Sequence, residues 1–361
     1  MKKHEMSSKN FIKLTLTIVI TVLVAAGTLV AVIDPMMHFH APLKGLSYPL
    51  KDEFYLNPGI ARHYDYDAVI VGDSCCQNFF ASDVKDLWGY ETVKLTNQGA
   101  PFSETKRFLD SAFDAKGELK LVIMPVNPVS VCKDAYVDRY ERDEYYLSDK
   151  NVINDARYLF NLQMIKKCLA VISDTRAGKE TWNMDMYSNW EDSRVFGGYQ
   201  MLEETLSSKA MEDYSKDANP VETSVKNVTV NIINPALEHP DTEFIVFIPP
   251  YHASYFKILQ NIDRFDTEFM IEKAVIEALL KTDNIKVYSF MDDYEITSDW
   301  NMYCDFSHCR QNVNRRIMNM MYNEEHIITK DNYLNYLDGL KNYYSDFDYD
   351  ELLIKAERDN Q

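Results

Sequence analysis

The chain has 361 residues with a formal net charge of −18, and 46% of it is hydrophobic and 13% aromatic. That apolar content excludes a disordered chain and suffices for one large core or two modest ones. With 38 Lys and Arg against 56 Asp and Glu, and no basic cluster after Lys13, nucleic acid is excluded as a partner, because phosphate binding relies on clustered cations that release counterions.

In chain order, Lys2, Lys3, Lys9 and Lys13 precede an uncharged run, Leu14 to Ile33, which at 1.5 Å per residue is about the 30 Å of a bilayer core. The charge asymmetry predicts a cytoplasmic N-terminus over 1–13, a transmembrane anchor over 14–33 and an extracytoplasmic body. A cleaved signal peptide ending near Val24, Ala25 and Ala26 is the alternative; the length of the run favours an uncleaved anchor. His38 and His40, just beyond it, read as an interfacial turn rather than a metal pair.

Short β-branched runs then recur at Ala68 to Val71, Thr92 to Leu95, Leu119 to Met124, Phe244 to Ile248 and Ile285 to Phe290. They are separated by helical patterns, one with Ser103 as its cap and Phe108, Leu109, Ala112 and Phe113 on one face, another with Phe269, Ile271, Val275 and Leu279. Buried strands alternating with helices predict an α/β fold with a doubly wound parallel sheet. The body is expected over 34–330, interrupted after the third strand by a largely helical insertion, 132–220, that packs beside the sheet. Its aromatic residues Trp182, Tyr187, Trp190, Phe196 and Tyr199 are expected to form a local core rather than a sugar-binding rim. Residues 331–361 read as one or two acidic, Tyr-rich helices. The six cysteines lack paired spacing for zinc or a dithiol. Buried free thiols are expected, although a bridge from Cys75 or Cys76 to Cys304 or Cys309 is open. Neither a metal nor a cofactor is expected, since no Gly-rich phosphate loop follows any strand.

In an open parallel sheet, ligands bind beyond the carboxyl ends of the strands. Ser74 in "VGDSCC" follows the first strand, Gly99 in "NQGA" the second, Asn127 in "MPVNP" the third, and "YCDFSHC" comes after the fifth. Asp305 and His308 are spaced so that the carboxylate reaches the imidazole Nδ1. A serine hydroxyl needs a neighbouring base, and the base works best when a third group fixes its tautomer. Ser74 as nucleophile, His308 as base and Asp305 as its orienting partner fill those roles. The N–H groups of Ser74 and Gly99 and the Asn127 amide would form an oxyanion hole. Cys75 is a weaker candidate nucleophile, and His252 after the fourth strand is expected in a surface loop, with substrate contact as its alternative. The sequon at Asn227 lies in a helical pattern and is read as without function.

These motifs resemble those of the SGNH, or GDSL, hydrolase superfamily over about residues 66–128 and 243–321: "GDS" after the first strand, a Gly after the second, an Asn after the third and "DFSH" as Asp-x-x-His. The third block departs from the usual Gly-x-Asn-Asp, reading "PVNP" instead. The resemblance implies a three-layer α/β/α flavodoxin-like sandwich and an ester-cleaving serine, with Ser74, His308 and Asp305 catalytic and Gly99 and Asn127 in the oxyanion hole. The plan of anchor, "VIDPMMHFH" and "YDAVIVGDS" is similar to membrane-anchored SGNH-like surface proteins of Gram-positive bacteria, and to proteins handling O-acyl or D-alanyl groups on wall polymers. It implies an esterase or O-acyltransferase acting on an acylated cell-surface glycan or wall polymer at the cell membrane, with a membrane partner protein in prospect. The alternative is a non-catalytic SGNH-derived accessory protein of envelope polymer synthesis.

Overall fold

The computed structural model describes residues 7–149, 151–207 and 218–359. The chain divides into two compact units, Met1–His63 with Tyr140–Trp182, and Tyr64–Arg139 with Asn183–Gln361.

The first unit is built on α1, Ser8–Ile33, a 26-residue helix long and apolar enough to cross a membrane. It starts six residues before the uncharged run because Ser7 caps it, accepting from the Asn10 N–H. It stops at Asp34, which adopts the left-handed conformation at φ 48°. The Asp34 carboxylate collects the backbone N–H groups of His38, Phe39 and His40 at 2.7–2.9 Å, and the buried Tyr158 hydroxyl donates to it at 2.7 Å. These bonds fold the segment after α1 into a tight turn. Next comes α2, Glu53–His63. His38 lies 2.8 Å from Asp155 and accepts from Arg62 at 3.0 Å, so it is a structural link. The 140–182 part of the insertion therefore groups with residues 34–63, tied to them by Tyr158 and Asp155.

The second unit is an α/β domain with a six-stranded, mostly parallel sheet: β1 Ala68–Gly72, β2 Thr92–Thr96, β3 Leu121–Pro125, β4 Glu243–Ile248, β5 Ile285–Ser289 and β6 Ile327–Ile328. Its order is β2-β1-β3-β4-β5-β6, with only β6 antiparallel. β1, β2 and β3 are buried at every position, which explains the continuous apolar runs of β1 and β3. Between the strands run α3, Ala81–Trp88, and α4, Phe102–Lys116. Ser103 lies inside α4 rather than capping it, because Pro101 already supplies the extended N-cap conformation. Ala68 and Ile70 of β1 share a core with Val84 of α3 and with Val313, Ile317 and Met321 of helix Gln311–Tyr322. Helices Tyr333–Asp346 and Tyr349–Asp359 form the acidic C-terminal pair.

Chain order reverses between β1 and β3, so a crevice is expected at their carboxyl ends. A glycine closes β1 there. A Cβ at Gly72 would stand 2.6 Å from the Pro125 ring and 2.9 Å from Cys76 Sγ, so no other residue lets β1 lie this close to β3.

Candidate active site

Directly after β1 the chain enters a single 3-10 turn, Ser74–Cys76, capped by Asp73, whose carboxylate accepts the Cys75 N–H at 3.0 Å. The turn is pinned from below by Lys94, a fully buried lysine of β2 that donates to the Gln77 carbonyl at 2.7 Å. Ser74 is thereby held at the strand end with its hydroxyl toward the loop Tyr303–Cys309.

That loop is closed by a bridge between Tyr303 and Cys309, with Cys304 N–H donating to the His308 carbonyl at 3.0 Å. Within it Asp305 Oδ1 accepts the N–H groups of Ser307 and His308 and the Ser307 hydroxyl at 2.8–2.9 Å, an Asx-type turn. The same carboxylate sits 2.7 Å from His308 Nδ1 through Oδ2. His308 Nε2 lies 2.7 Å from Ser74 Oγ. The three side chains chosen from sequence thus stand in one hydrogen-bonded line, in the order hydroxyl, imidazole, carboxylate. Partial burial pushes the Asp305 carboxyl up, but the hydrogen bond and charge of His308 with the Ser307 donors outweigh it and bring it to about 2. Asp305 is therefore ionised at neutral pH and can hold the proton of Nδ1, leaving Nε2 to accept from the serine.

The oxyanion side differs from expectation. Asn127 reaches the site, but its side chain is fully used. Its Oδ1 caps the short helix Pro128–Val131, accepting the N–H groups of Val129 and Ser130, and takes the buried Tyr251 hydroxyl at 2.6 Å. Its Nδ2 donates to Asp73 Oδ2 at 2.9 Å and lies 3.3 Å from Cys75 Sγ. The "PVNP" sequence accounts for this, since an Asn before a proline at the first helical position is a helix cap. Gly99 sits in the left-handed region at φ 65°, in a loop tied to the end of β1 by Asn97 N–H on the Gly72 carbonyl at 3.0 Å. Among the described residues the N–H groups of Ser74 and Gly99 make no hydrogen bond.

Other candidates resolve differently. Burial, with Asp73 adding to it, raises the Cys75 thiol well above its ordinary value, so it is no thiolate nucleophile. All six cysteines are free. His252 is not in a surface loop. It is buried, its Nδ1 is 2.8 Å from Ser254 Oγ, and burial lowers it to about 3. Asn227 is buried in a helix and donates to the Val131 and Lys133 carbonyls, so the sequon is structural. Among the described residues, no group of three or more His, Cys, Asp or Glu is arranged to hold a metal.

Two of the insertion aromatics belong to the site instead of a local core. Trp190 Nε1 donates to the Ser74 carbonyl at 3.2 Å, and its ring stands edge-on to His308 at 5.3 Å. Phe196 stacks on Trp190, and the Arg310 guanidinium lies 4.3 Å over Phe196. Asn78 fixes the segment, accepting the Trp190 N–H at 2.9 Å, while Glu191 accepts the Gln311 N–H at 2.9 Å. Tyr187, by contrast, is fully buried as expected of a core residue. The chain matches no known protein-family model and no curated protein.

Proposed function

We propose that this chain is a membrane-anchored, extracytoplasmic serine esterase or O-acyltransferase of SGNH type, with a flavodoxin-like sandwich, acting on acyl esters of a cell-surface glycan or wall polymer. The observation that carries this reading is the 2.7 Å contact of Ser74 Oγ with His308 Nε2, whose other nitrogen is held by Asp305. The strand order, with Ser74 at the reversal between β1 and β3, supports it.

In this reading the Ser74 oxygen bonds to the ester carbonyl carbon as its proton passes to His308 Nε2. Asp305 stabilises the imidazolium without taking the proton. The carbonyl oxygen gains negative charge and is met by the N–H groups of Ser74 and Gly99; each such donor contributes roughly 10²–10³ in turnover. His308 returns its proton to the departing alcohol, leaving an acyl-serine. Water resolves this to a free acid, whereas a glycan hydroxyl resolves it to a new ester. The stacked Trp190 and Phe196 offer an apolar wall suited to a sugar face.

The test is the full chain in vesicles incubated with an aryl acetate and with an O-acetylated polysaccharide, reading both free acetate and newly acetylated acceptor. Release or transfer that disappears in Ser74→Ala supports the reading, while turnover unchanged in Ser74→Ala, or none on either donor, sinks it. One observation favours a non-catalytic accessory role: the Asn127 amide is committed to Asp73 and not to the space above Ser74.

A further inference from the structure

We propose that the α1-proximal face of the Met1–His63 and Tyr140–Trp182 unit is a second membrane contact, in which Phe160, Leu162 and Leu169 sit in the lipid leaflet beside the end of α1. It rests on the anchor part of the reading above and is independent of any catalysis.

After α1 and α2 the unit contains a short helix, Ala156–Leu159, and a longer one, Leu162–Arg176, and both pack against α1. Their position is fixed by bonds already described and by two more. Tyr158 receives the Met36 N–H at 3.0 Å while donating to Asp34, and Cys168 Sγ lies 3.9 Å from the Leu29 carbonyl. The Phe160 ring lies against the bare backbone of α1, since a Cβ on Gly27 would stand 3.2 Å from it.

The depth of that contact decides the partner. Gly27 precedes Ile33, the last uncharged residue of α1, by about 9 Å along the axis at 1.5 Å per residue. A hydrocarbon core of about 30 Å takes about 20 residues. If it runs from Leu14 to Ile33, Phe160 is inside it. If it is shifted to begin at Ser8, Lys9 and Lys13 snorkel at the far side and Phe160 lies at the near edge. In both registers the residues around Phe160 meet lipid.

Their surface fits that partner. Phe160 is 51% exposed, Leu162 65% and Leu169 54%. Leu162 and Leu169 are seven apart on one helix and share a face, with the exposed Lys166 between them. Apolar side chains with an interleaved lysine describe an interfacial helix, whose leucines enter the acyl boundary while the ammonium reaches lipid phosphate. Phe39, also exposed, sits edge-on to Tyr158. In water these side chains would form an unpaired apolar strip; continuity with the membrane-spanning helix supplies their cover.

The experiment uses the full chain reconstituted into phosphatidylglycerol and phosphatidylcholine vesicles containing a phospholipid with a diazirine in its acyl chain. After irradiation, adducts are mapped by peptide mass spectrometry. Adducts are expected on α1 and on the peptide spanning Phe160 to Leu169. In L162E/L169E, whose positions are exposed and tolerate charge, adducts on that peptide should fall roughly tenfold or more while those on α1 stay unchanged. Labelled α1 with an unlabelled 160–169 peptide overturns the second contact and leaves the anchor. Labelling that is unchanged in the double variant also overturns it. No label on α1 removes the anchor and this inference together, without touching the Ser74 site.

Discussion

The turn Gly72–Cys76 and the loop Tyr303–Cys309 each bring one carboxylate beside Ser74, and the two carboxylates live in opposite environments. Asp305 is partly exposed, faces a histidine and three donors, and is driven down to about 2. Asp73 is buried, and that burial raises it despite the Cys75 N–H, the His308 charge and the Asn127 amide. Pairs of acids pushed apart in this way divide roles at an active site. Asp305 is placed to keep the imidazole oriented and its charge balanced. Asp73 holds the serine turn and Asn127 in place, so in the proposed enzyme the oxyanion would depend on backbone N–H groups.

The largest expected effect separates these two roles. In the proposed enzyme Asp305→Asn favours the wrong His308 tautomer and should lower turnover by roughly 10⁴-fold, together with a lower thermal midpoint at neutral pH because the ionised carboxylate's stabilising contacts are lost. Asp73→Asn loosens the buried Asn127 and Cys75 contacts, worth about 1–3 kcal/mol, while removing a buried charge that opposes folding, and should bring much the smaller loss of turnover. Equal losses of turnover in the two variants would erase the distinction.

A smaller effect is expected at Trp190, which touches both sides. Trp190→Phe keeps the ring beside His308 and removes the N–H on the Ser74 carbonyl. A single neutral hydrogen bond is worth about 0.5–1.5 kcal/mol, so turnover should fall by roughly threefold to tenfold with an unchanged substrate KM. A rise in KM alone would mean that Trp190 serves only as a substrate wall.

The smallest effect lies in acid stability. Asp305 has a folded value below its ordinary one, so its contribution is present above about pH 4 and is lost as pH falls toward 2. Asp73 is raised, so its ionisation opposes folding as pH rises past the ordinary carboxylate range. Denaturant midpoints against pH should show a flatter acid limb in Asp305→Asn and a smaller decline above about pH 4 in Asp73→Asn. Parallel profiles for both variants and the parent would contradict the opposed environments.

Much of this was legible in the sequence because it is local. The five parallel strands announce themselves as β-branched runs, and their observed ends differ from the expected ones by no more than two residues. Asp305 and His308 share one short loop, and Ser74 sits at a strand end, so topology alone brings them to the same edge. What was missed depends on distance or on competing local chemistry. β6 is two residues long and antiparallel, too short to carry a period. Trp190 meets Ser74 across more than a hundred residues from a stretch without periodicity. Asn127 follows β3 in the sequence, but the Asp73 acceptor and the Tyr251 donor that occupy its side chain are visible only in three dimensions. The grouping of 140–182 with the segment after α1 depends on Asp34, whose role as a left-handed cap collecting three N–H groups has no sequence signature beyond the Asp-Pro pair.

The central claim is that the Ser74 hydroxyl is activated by His308. The most direct measurement treats the full chain in vesicles with a fluorophosphonate probe and maps the product by peptide mass spectrometry. The account predicts one covalent adduct, on Ser74, lost in His308→Ala and strongly reduced in Asp305→Asn. A folded protein that stays unlabelled at Ser74, or one labelled equally well without His308, would contradict it.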